Sequence, residues 1–316
     1  MTVADRLDTA LRHLADARTD LSPPVLGAVR DSLNQRRAET TRVLDTIGIE
    51  IEQRDIPVGP RRTVVVRIYR GGPPPSPAVI YCHSGAFVLG NLDTDHLQCI
   101  EYARRGRCTV ISVDYRLAPE DPFPAALDDA AAVLEWAVRC AAELGIDTGA
   151  VAVAGSSAGG AIATRLAARA VAGAAPPIVF QMLHQPVFDD RPTPSKEEFT
   201  TTPGFDSDAA GWMWRHYLAG APVSVEAAPG RADDVAGLPA TLITCSELDP
   251  LRDEAIDYAL RLMCSPAPAT DSTPWSPIGR PASGCSRSRV QPCGGRCCTR
   301  RVRARSPRGS GRCGRG

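Results

Sequence analysis

The sequence predicts an α/β protein: a doubly wound, mostly parallel sheet with helices on both faces and a helical cap. Three observations carry that reading. Short, continuous apolar runs alternate with longer helical patterns, as buried parallel strands and their crossovers do. Two strands with alternating polarity, separated by a turn, come before them and read as an antiparallel pair. A Gly-x-Ser-x-Gly turn then joins one apolar run to a helix rich in small residues.

Composition bounds the reading. The chain has 316 residues, 43% of them apolar, which is ample for a core. It contains no unbroken apolar stretch long enough to cross a bilayer, so no integral membrane segment is expected. The N-terminus, MTVADRLDTALRHLADARTD, lacks a basic n-region followed by an apolar stretch and reads as an amphipathic helix, so a cytoplasmic location is expected. The zero net charge hides an asymmetry. Residues 264–316 hold eleven Arg, no Lys and one acid (Asp271), giving +10, so residues 1–263 carry −10. Six of the eleven cysteines lie at or after Cys264, while Cys82, Cys99, Cys108, Cys140 and Cys245 sit in apolar contexts and read as buried thiols of a reducing compartment.

The elements follow in order. Residues 1–45 carry helical patterns broken by LSPP at 21–24. IEIEQRDIPV (49–58) and TVVVRIYR (63–70) alternate as antiparallel strands around the turn GPRR, and GGPPPSP (71–77) is a surface loop. AVIYCH (78–83) and CTVISVDY (108–115) are buried strands with a helix near 95–106 between them. FPAALDDAAAVLEWAVRCAAEL (123–144) is a long helix. VAVAG (151–155), a helix from Ser157, IVFQMLH (178–184), ATLITC (240–245) and a helix over 251–263 complete the rhythm. Residues 186–235 interrupt it with Pro-rich loops and the aromatic helix DAAGWMWRHYLAG (208–220). The expected organisation is therefore cap helices at 1–45, core at 46–185, a cap insertion at 186–235, core again at 236–263, and an aberrant tail at 264–316 that is expected to be disordered.

The chemistry centres on GSSAG at 155–159. A serine on a tight strand-to-helix turn projects its hydroxyl, and the glycines keep side chains off the neighbouring strand and helix. The helix N-terminus favours a developing oxyanion. HSGAF (83–87) closes an earlier strand, and its backbone N–H groups can join the Ala158 N–H in an oxyanion hole.

HSGAF, YRLAPEDPFPAALDD (115–129), GSSAGG (155–160) and DPLRDE (249–254) occur in that order. With these segments the chain resembles the hormone-sensitive-lipase-like esterases of the α/β-hydrolase superfamily, over residues 1–263. The resemblance implies a carboxylic ester hydrolase working through an acyl-enzyme, with Ser157 as nucleophile, Asp249 as triad acid, and Gly85, Ala86 and Ala158 supplying oxyanion N–H groups. It implies no cofactor and no metal, and a small-molecule ester as partner. Departures stand out. Ser84 and Ala86 replace glycines of the family loop, and Ser156 replaces an Asp beside the nucleophile, so a weakened hydrogen-bond network is expected there. Phe205, Trp212, Trp214 and Tyr217 in the cap suggest short or medium acyl chains over charged substrates. Amide or lactone hydrolysis on the same machinery, and an inactive remnant that binds apolar ligands, are the alternatives. The oligomeric state is left open.

The resemblance places the triad histidine after Asp249, in the chain order Ser, Asp, His. His13, His83, His96, His184 and His216 all precede it. The tail offers a reason. From Cys264 it is mostly Arg, Gly, Pro, Ser and Cys, without hydrophobic periodicity, where the family continues with a strand, the histidine loop and a helix, so these are expected to be missing. We read it as out-of-frame translation of GC-rich DNA. The rival readings are a basic tail that binds nucleic acid, against which only Trp275 supplies an aromatic and no binding fold is present, and a metal site at CGGRCC (293–298), which lacks a second ligand pair. No nucleic-acid partner is expected. Limited trypsin digestion should remove the chain beyond about residue 264 before the body is cut, read by mass spectrometry. A tail surviving as long as the body would overturn the frameshift reading.

Overall fold

A computed structural model describes residues 3–59 and 62–265. The expectations for residues 266–316, including the CGGRCC cysteines, lie outside the described residues. Seven strands form one sheet: β1 (Glu50–Gly59), β2 (Arg62–Arg70), β3 (Ser76–Cys82), β4 (Thr109–Asp114), β5 (Ile146–Ser156), β6 (Phe180–His184) and β7 (Ala240–Thr244), in the spatial order β1-β2-β4-β3-β5-β6-β7. β1 pairs antiparallel with β2, and β2 antiparallel with β4. Every other pairing is parallel. The runs of continuous apolar residues became the central strands because both their faces are covered. Val110, Ile111 and Val113 of β4 and Ile80 of β3 are fully buried.

The helices are α1 (Val3–Arg6), α2 (Leu26–Thr41), α3 (His96–Gly106), α4 (Ala125–Arg139), α5 (Ala141–Leu144), α6 (Ala158–Val171), α7 (Pro194–Glu198), α8 (Ser207–Leu218) and α9 (Arg252–Cys264), with 3-10 turns at Thr9–Leu14 and Pro229–Arg231. The single helix expected over 123–144 is two, because Cys140 leaves helical geometry at φ −98°, ψ 19°. The strand expected at 151–155 extends back to Ile146.

Strand order reverses direction at β3, which lies between β4 and β5. In an open parallel sheet the crevice forms beyond the carboxyl ends of strands at such a reversal. Residues 186–235 and the N-terminal segment meet above that edge. Gly204 N–H donates to the Ala17 carbonyl (2.9 Å), and His216 Nε2–H donates to the Leu21 carbonyl (2.8 Å). Arg30 donates to the carbonyls of Val88 (2.9 Å) and Ala118 (3.1 Å), tying α2 to the loop after β3.

Of the five thiols expected to be buried, Cys82, Cys99 and Cys108 are. Cys140 is half-buried and Cys245 is exposed, because the alternating β7 turns every second residue out of the sheet and Cys245 lies just past its end. Burial pushes the Cys82 thiol up to about 12. Among the described residues β7 has a strand on one side only, and Leu242, Ile256, Leu260 and Met263 are exposed beside it.

Glu254 of α9 fastens the loop after β6. It is buried, accepts the Phe188 N–H (2.7 Å) and the Asp189 N–H (3.3 Å), and pairs with Lys196. Burial pushes its carboxyl up to about 7, against the pull of Lys196 and the two N–H groups. A raised carboxyl favours the folded state below its unfolded value near 4.5, and that contribution is lost as pH rises through 7. The Tm of Glu254→Gln relative to the native chain should therefore climb between pH 4.5 and pH 7.5, measured by thermal denaturation. A pH-independent difference would contradict the burial of an ionisable carboxyl here.

Candidate active site

The glycines of GSSAG are dictated by backbone contact. A Cβ at Gly155 would lie 2.2 Å from the Gly159 carbonyl oxygen, and one at Gly159 would lie 2.0 Å from the carbonyl oxygen of Cys82. β5, α6 and β3 thus approach closer than any side chain allows. Ser157, between β5 and α6, takes φ +53°, ψ −116°, a strained conformation for a residue with a Cβ. Three hydrogen bonds hold it there. Its N–H donates to the His184 carbonyl (2.8 Å), and its carbonyl accepts from Gly160 N–H (2.9 Å) and Val187 N–H (3.0 Å).

The loop after β3 is folded as tightly. Gly85 has φ +137°, and a Cβ on it would sit 2.0 Å from the Leu89 carbonyl oxygen. Ala86 follows at φ +55° and Phe87 at φ +60°, so two non-glycine residues in succession occupy the left-handed region. The Gly85 carbonyl accepts from Val88 N–H (3.0 Å) and Leu89 N–H (2.7 Å), while the N–H groups of Gly85 and Ala86 make no hydrogen bond among the described residues. Phe87 is locked by stacking on Tyr217, with ring centroids 3.7 Å apart.

Ser84 does more than replace a glycine. Its N–H and hydroxyl both donate to Asp95 (2.8 and 3.2 Å), which also accepts from the Tyr81 hydroxyl (3.0 Å). Asp95 precedes α3 at an N-cap position, but its carboxylate serves the loop and not the helix. Sequence reading missed it because its partners are eleven and fourteen residues away. Ser156 is buried and lines the same cavity as Ser157.

Asp249 lies after β7. Leu251 N–H donates to one carboxylate oxygen (2.8 Å). Burial raises its carboxyl above the ordinary value, opposed by that N–H and by Arg252. Ser157, Asp249, Gly85 and Ala86 line one cavity of about 380 Å³, together with Ser84, Ser156, Arg37, Gln185 and Phe205 among others. Ala158, fully buried, opens α6 beside it. Gln185, at φ +46°, bridges the floor by donating to the Ser246 hydroxyl (2.5 Å) and carried no signal in the sequence. Of the four aromatics expected to shape an acyl site, Phe205 alone lines the cavity. Trp214 and Tyr217 pack against Phe87, and Trp212 against His216, so helix α8 spends them on its own seating.

None of the five histidines lines this cavity. His13 is exposed on the first 3-10 turn. His83 is buried behind the loop, its Nδ1–H donating to the Ser84 carbonyl (2.8 Å), and burial lowers its ring to about 4. His96 Nδ1 accepts from the Tyr69 hydroxyl (2.7 Å), His184 Nδ1 bonds Thr244 Oγ1 (2.6 Å), and His216 is committed to Leu21. Among the described residues no group of three or more His, Cys, Asp or Glu is placed to hold a metal, and no helix is long and apolar enough to cross a membrane.

The reversal at β3, the strained serine between β5 and α6 and the loop after β3 together define the α/β-hydrolase class. Comparison agrees: a family profile described as alpha/beta hydrolase fold matches residues 79–270. Esterase LipI of Mycobacterium tuberculosis is 41% identical over 220 residues, 66% of this chain and 68% of the relative. Carboxylesterase NlhH of the same species is 41% identical over 224 residues, 67% and 69%. The crystal structure of esterase LipW from Mycobacterium marinum superposes with a TM-score of 0.79 at 56% identity, covering 82% of this chain and 83% of that one. A bacterial heroin esterase superposes at 0.78 with 34% identity, covering 83% and 86%. The chain belongs to the hormone-sensitive-lipase-like esterases of the α/β-hydrolase superfamily, a family of serine hydrolases that act on small-molecule esters.

Because the Cβ of Gly159→Ala would meet backbone and not a movable side chain, this one methyl should destabilise the body by at least about 3 kcal/mol. The measurement is the urea midpoint of the soluble protein, or its loss to the insoluble fraction. Gly204→Ala, where nothing lies within 4 Å of the new Cβ, should cost less than half as much even though its φ is +80°.

Proposed function

We propose that the body of this chain is a carboxylesterase machine for short- or medium-chain esters whose serine lacks a base. Ser157 attacks the ester carbonyl. The N–H groups of Gly85, Ala86 and Ala158 receive the oxyanion. Asp249 is the carboxylate that would orient a histidine and stabilise its imidazolium. Residues 1–45 and 186–235 act as the cap over the cavity, and residues 46–185 and 236–263 as the hydrolase core. The observation that carries the reading is the convergence of Ser157, Gly85, Ala86 and Asp249 on one cavity of about 380 Å³. Its size suits an acyl chain of a few carbons, and Phe205 and Leu89 in its wall favour an apolar one.

The five histidines weigh on the rate. Acyl transfer needs a base to take the serine proton, then an acid to give it to the leaving alcohol, and water needs the same base for deacylation. Each histidine is engaged elsewhere or exposed outside the cavity, and Asp249, with a raised pKa but no imidazole, is a poor substitute. A raised carboxyl is a better base than an ordinary one, yet among the described residues no hydrogen bond joins it to the serine hydroxyl. The oxyanion hole and binding alone sustain about 10³–10⁴-fold over water, while a complete triad adds about 10⁶ in kcat.

The native chain should therefore hydrolyse a chromogenic short-chain ester only weakly, and a chain returned to the family reading frame after Met263 should gain several orders of magnitude in kcat. Mutating the restored histidine should abolish the gain. Ordinary esterase turnover by the 316-residue chain, lost in Ser157→Ala, would show that an upstream base exists, with His216 and His96 the first to substitute. Independently, an active-site phosphonate should label Ser157 slowly in the native chain and not at all in Ser157→Ala. Labelling at another serine would overturn the nucleophile assignment.

A further inference from the structure

Arg37 of α2 lines the cavity that holds Ser157 and Asp249 and is the one cationic side chain in its described wall. Its Nη1 is shut off from solvent and has no hydrogen-bond partner. Among the described residues its guanidinium makes no ion pair. By contrast, the partly buried Arg30, Arg67 and Arg165 each sit on a carboxylate. The acid that pulls on Arg37 most is Asp95, whose oxygens accept from Ser84 and Tyr81 and make no hydrogen bond or ion pair with Arg37 among the described residues. Burial works against its charge, and the neighbouring Arg36 adds repulsion. His83 offers no negative charge either: its ring is neutral, and its Nε2 is a buried, unpartnered acceptor.

Arg37 is half-buried, with one guanidinium nitrogen out of reach of solvent and without a partner, and a cation so placed gains from an anion that meets the cavity side of its guanidinium. The guanidinium fork matches a carboxylate in two parallel N–H···O bonds. Asp249, the one anionic side chain in the described wall, is the acid proposed for the triad, and its bonded oxygen faces Leu251 N–H. We propose that Arg37 is a specificity-determining residue that anchors a free carboxylate on the substrate, so that the cavity selects esters carrying a second, ionised carboxyl group over neutral esters of the same length. The inference rests on the cavity being the ester site, but it concerns binding, which does not require the missing base.

The test is therefore a binding measurement on the full chain, by calorimetry at neutral pH and low salt. Monoethyl glutarate carries its carboxylate in the acyl part, O-acetylglycolate carries it in the alcohol part, and ethyl pentanoate is the neutral comparator. At least one of the anionic esters should bind the native chain about tenfold or more tightly than ethyl pentanoate. That preference should vanish in Arg37→Gln and survive in part in Arg37→Lys, while ethyl pentanoate binds all three alike. Which anionic ester gains identifies the side of the ester that Arg37 reads. Circular dichroism and Tm establish that each variant is folded. Should Arg37→Gln fail to fold, Arg37→Lys decides the question instead: loss of at least half the preference supports the anchor, because an ammonium cannot reproduce the two-pronged contact, and full retention overturns it. The proposal is also overturned if the native chain shows no preference, if the preference persists in Arg37→Gln, or if neither anionic ester binds. The ester-site reading fails separately, through phosphonate labelling that misses Ser157, whatever the calorimetry gives.

Discussion

The whole arrangement depends on backbone meeting backbone where β5 turns into α6. At Gly159 the helix passes so close to the end of β3 that a single methyl group would overlap the Cys82 carbonyl, and at Gly155 the strand passes as close to the helix. That approach fixes the direction of α6 and brings the loop after β3 to the same spot as the serine. The positive φ of Ser157 is a consequence: with strand and helix clamped, the residue between them has no extended or helical alternative. The bonds from Ser157 to His184 and Val187 come from β6 and the chain just after it, so the strain is distributed over a sheet and not stored in one turn.

Around this clamp the electrostatics divide into closed and open parts. The loop is closed: Asp95 gathers Ser84 and Tyr81, and Phe87 is wedged against Tyr217. These contacts explain why Ala86 is tolerated where the family resemblance implies glycine. Left-handed backbone at a Cβ-bearing residue costs on the order of 1 kcal/mol, and a loop fastened at both ends bears it. The open part is the cavity lining, where Asp249 accepts one N–H and Arg37 Nη1 donates to no partner among the described residues. Polar groups that face a cavity half-satisfied are poised for a ligand, whereas those behind the loop are poised for rigidity.

Most of the fold was legible in the chain itself. Continuous apolar runs announced β3, β4 and β5, and alternation announced β1 and β2, because burial on two faces or on one leaves different periodicities. The turn at Ser157 was legible because close backbone contact leaves glycines behind, whereas Gly85 and Asp249, which line the same cavity, were pointed to through the family resemblance. What escaped was of two kinds. The break at Cys140 and the exposure of Cys245 depend on how neighbouring elements end, which no local pattern records. Asp95 and Gln185 act on residues distant in sequence and Arg37 through an unmet hydrogen bond, and an arginine on a polar helix looks in sequence like any solvated one. The aromatic helix α8 misled in the opposite direction, since three of its rings serve packing and do not line the cavity.

The serine's geometry owes nothing to an imidazole. Every main-chain bond that holds Ser157 comes from the end of β6, α6 and the segment following β6. A lineage can therefore lose its proton shuttle without losing the architecture in which that shuttle worked. The difficult inheritance, a strained residue in a glycine clamp, is preserved by folding itself, while the simple one, a single imidazole on a late loop, is exposed to accident in the gene. The elbow's backbone keeps its shape whether or not an imidazole reaches it. Silencing of that sort leaves a scaffold from which function can be regained by reversion without rediscovery.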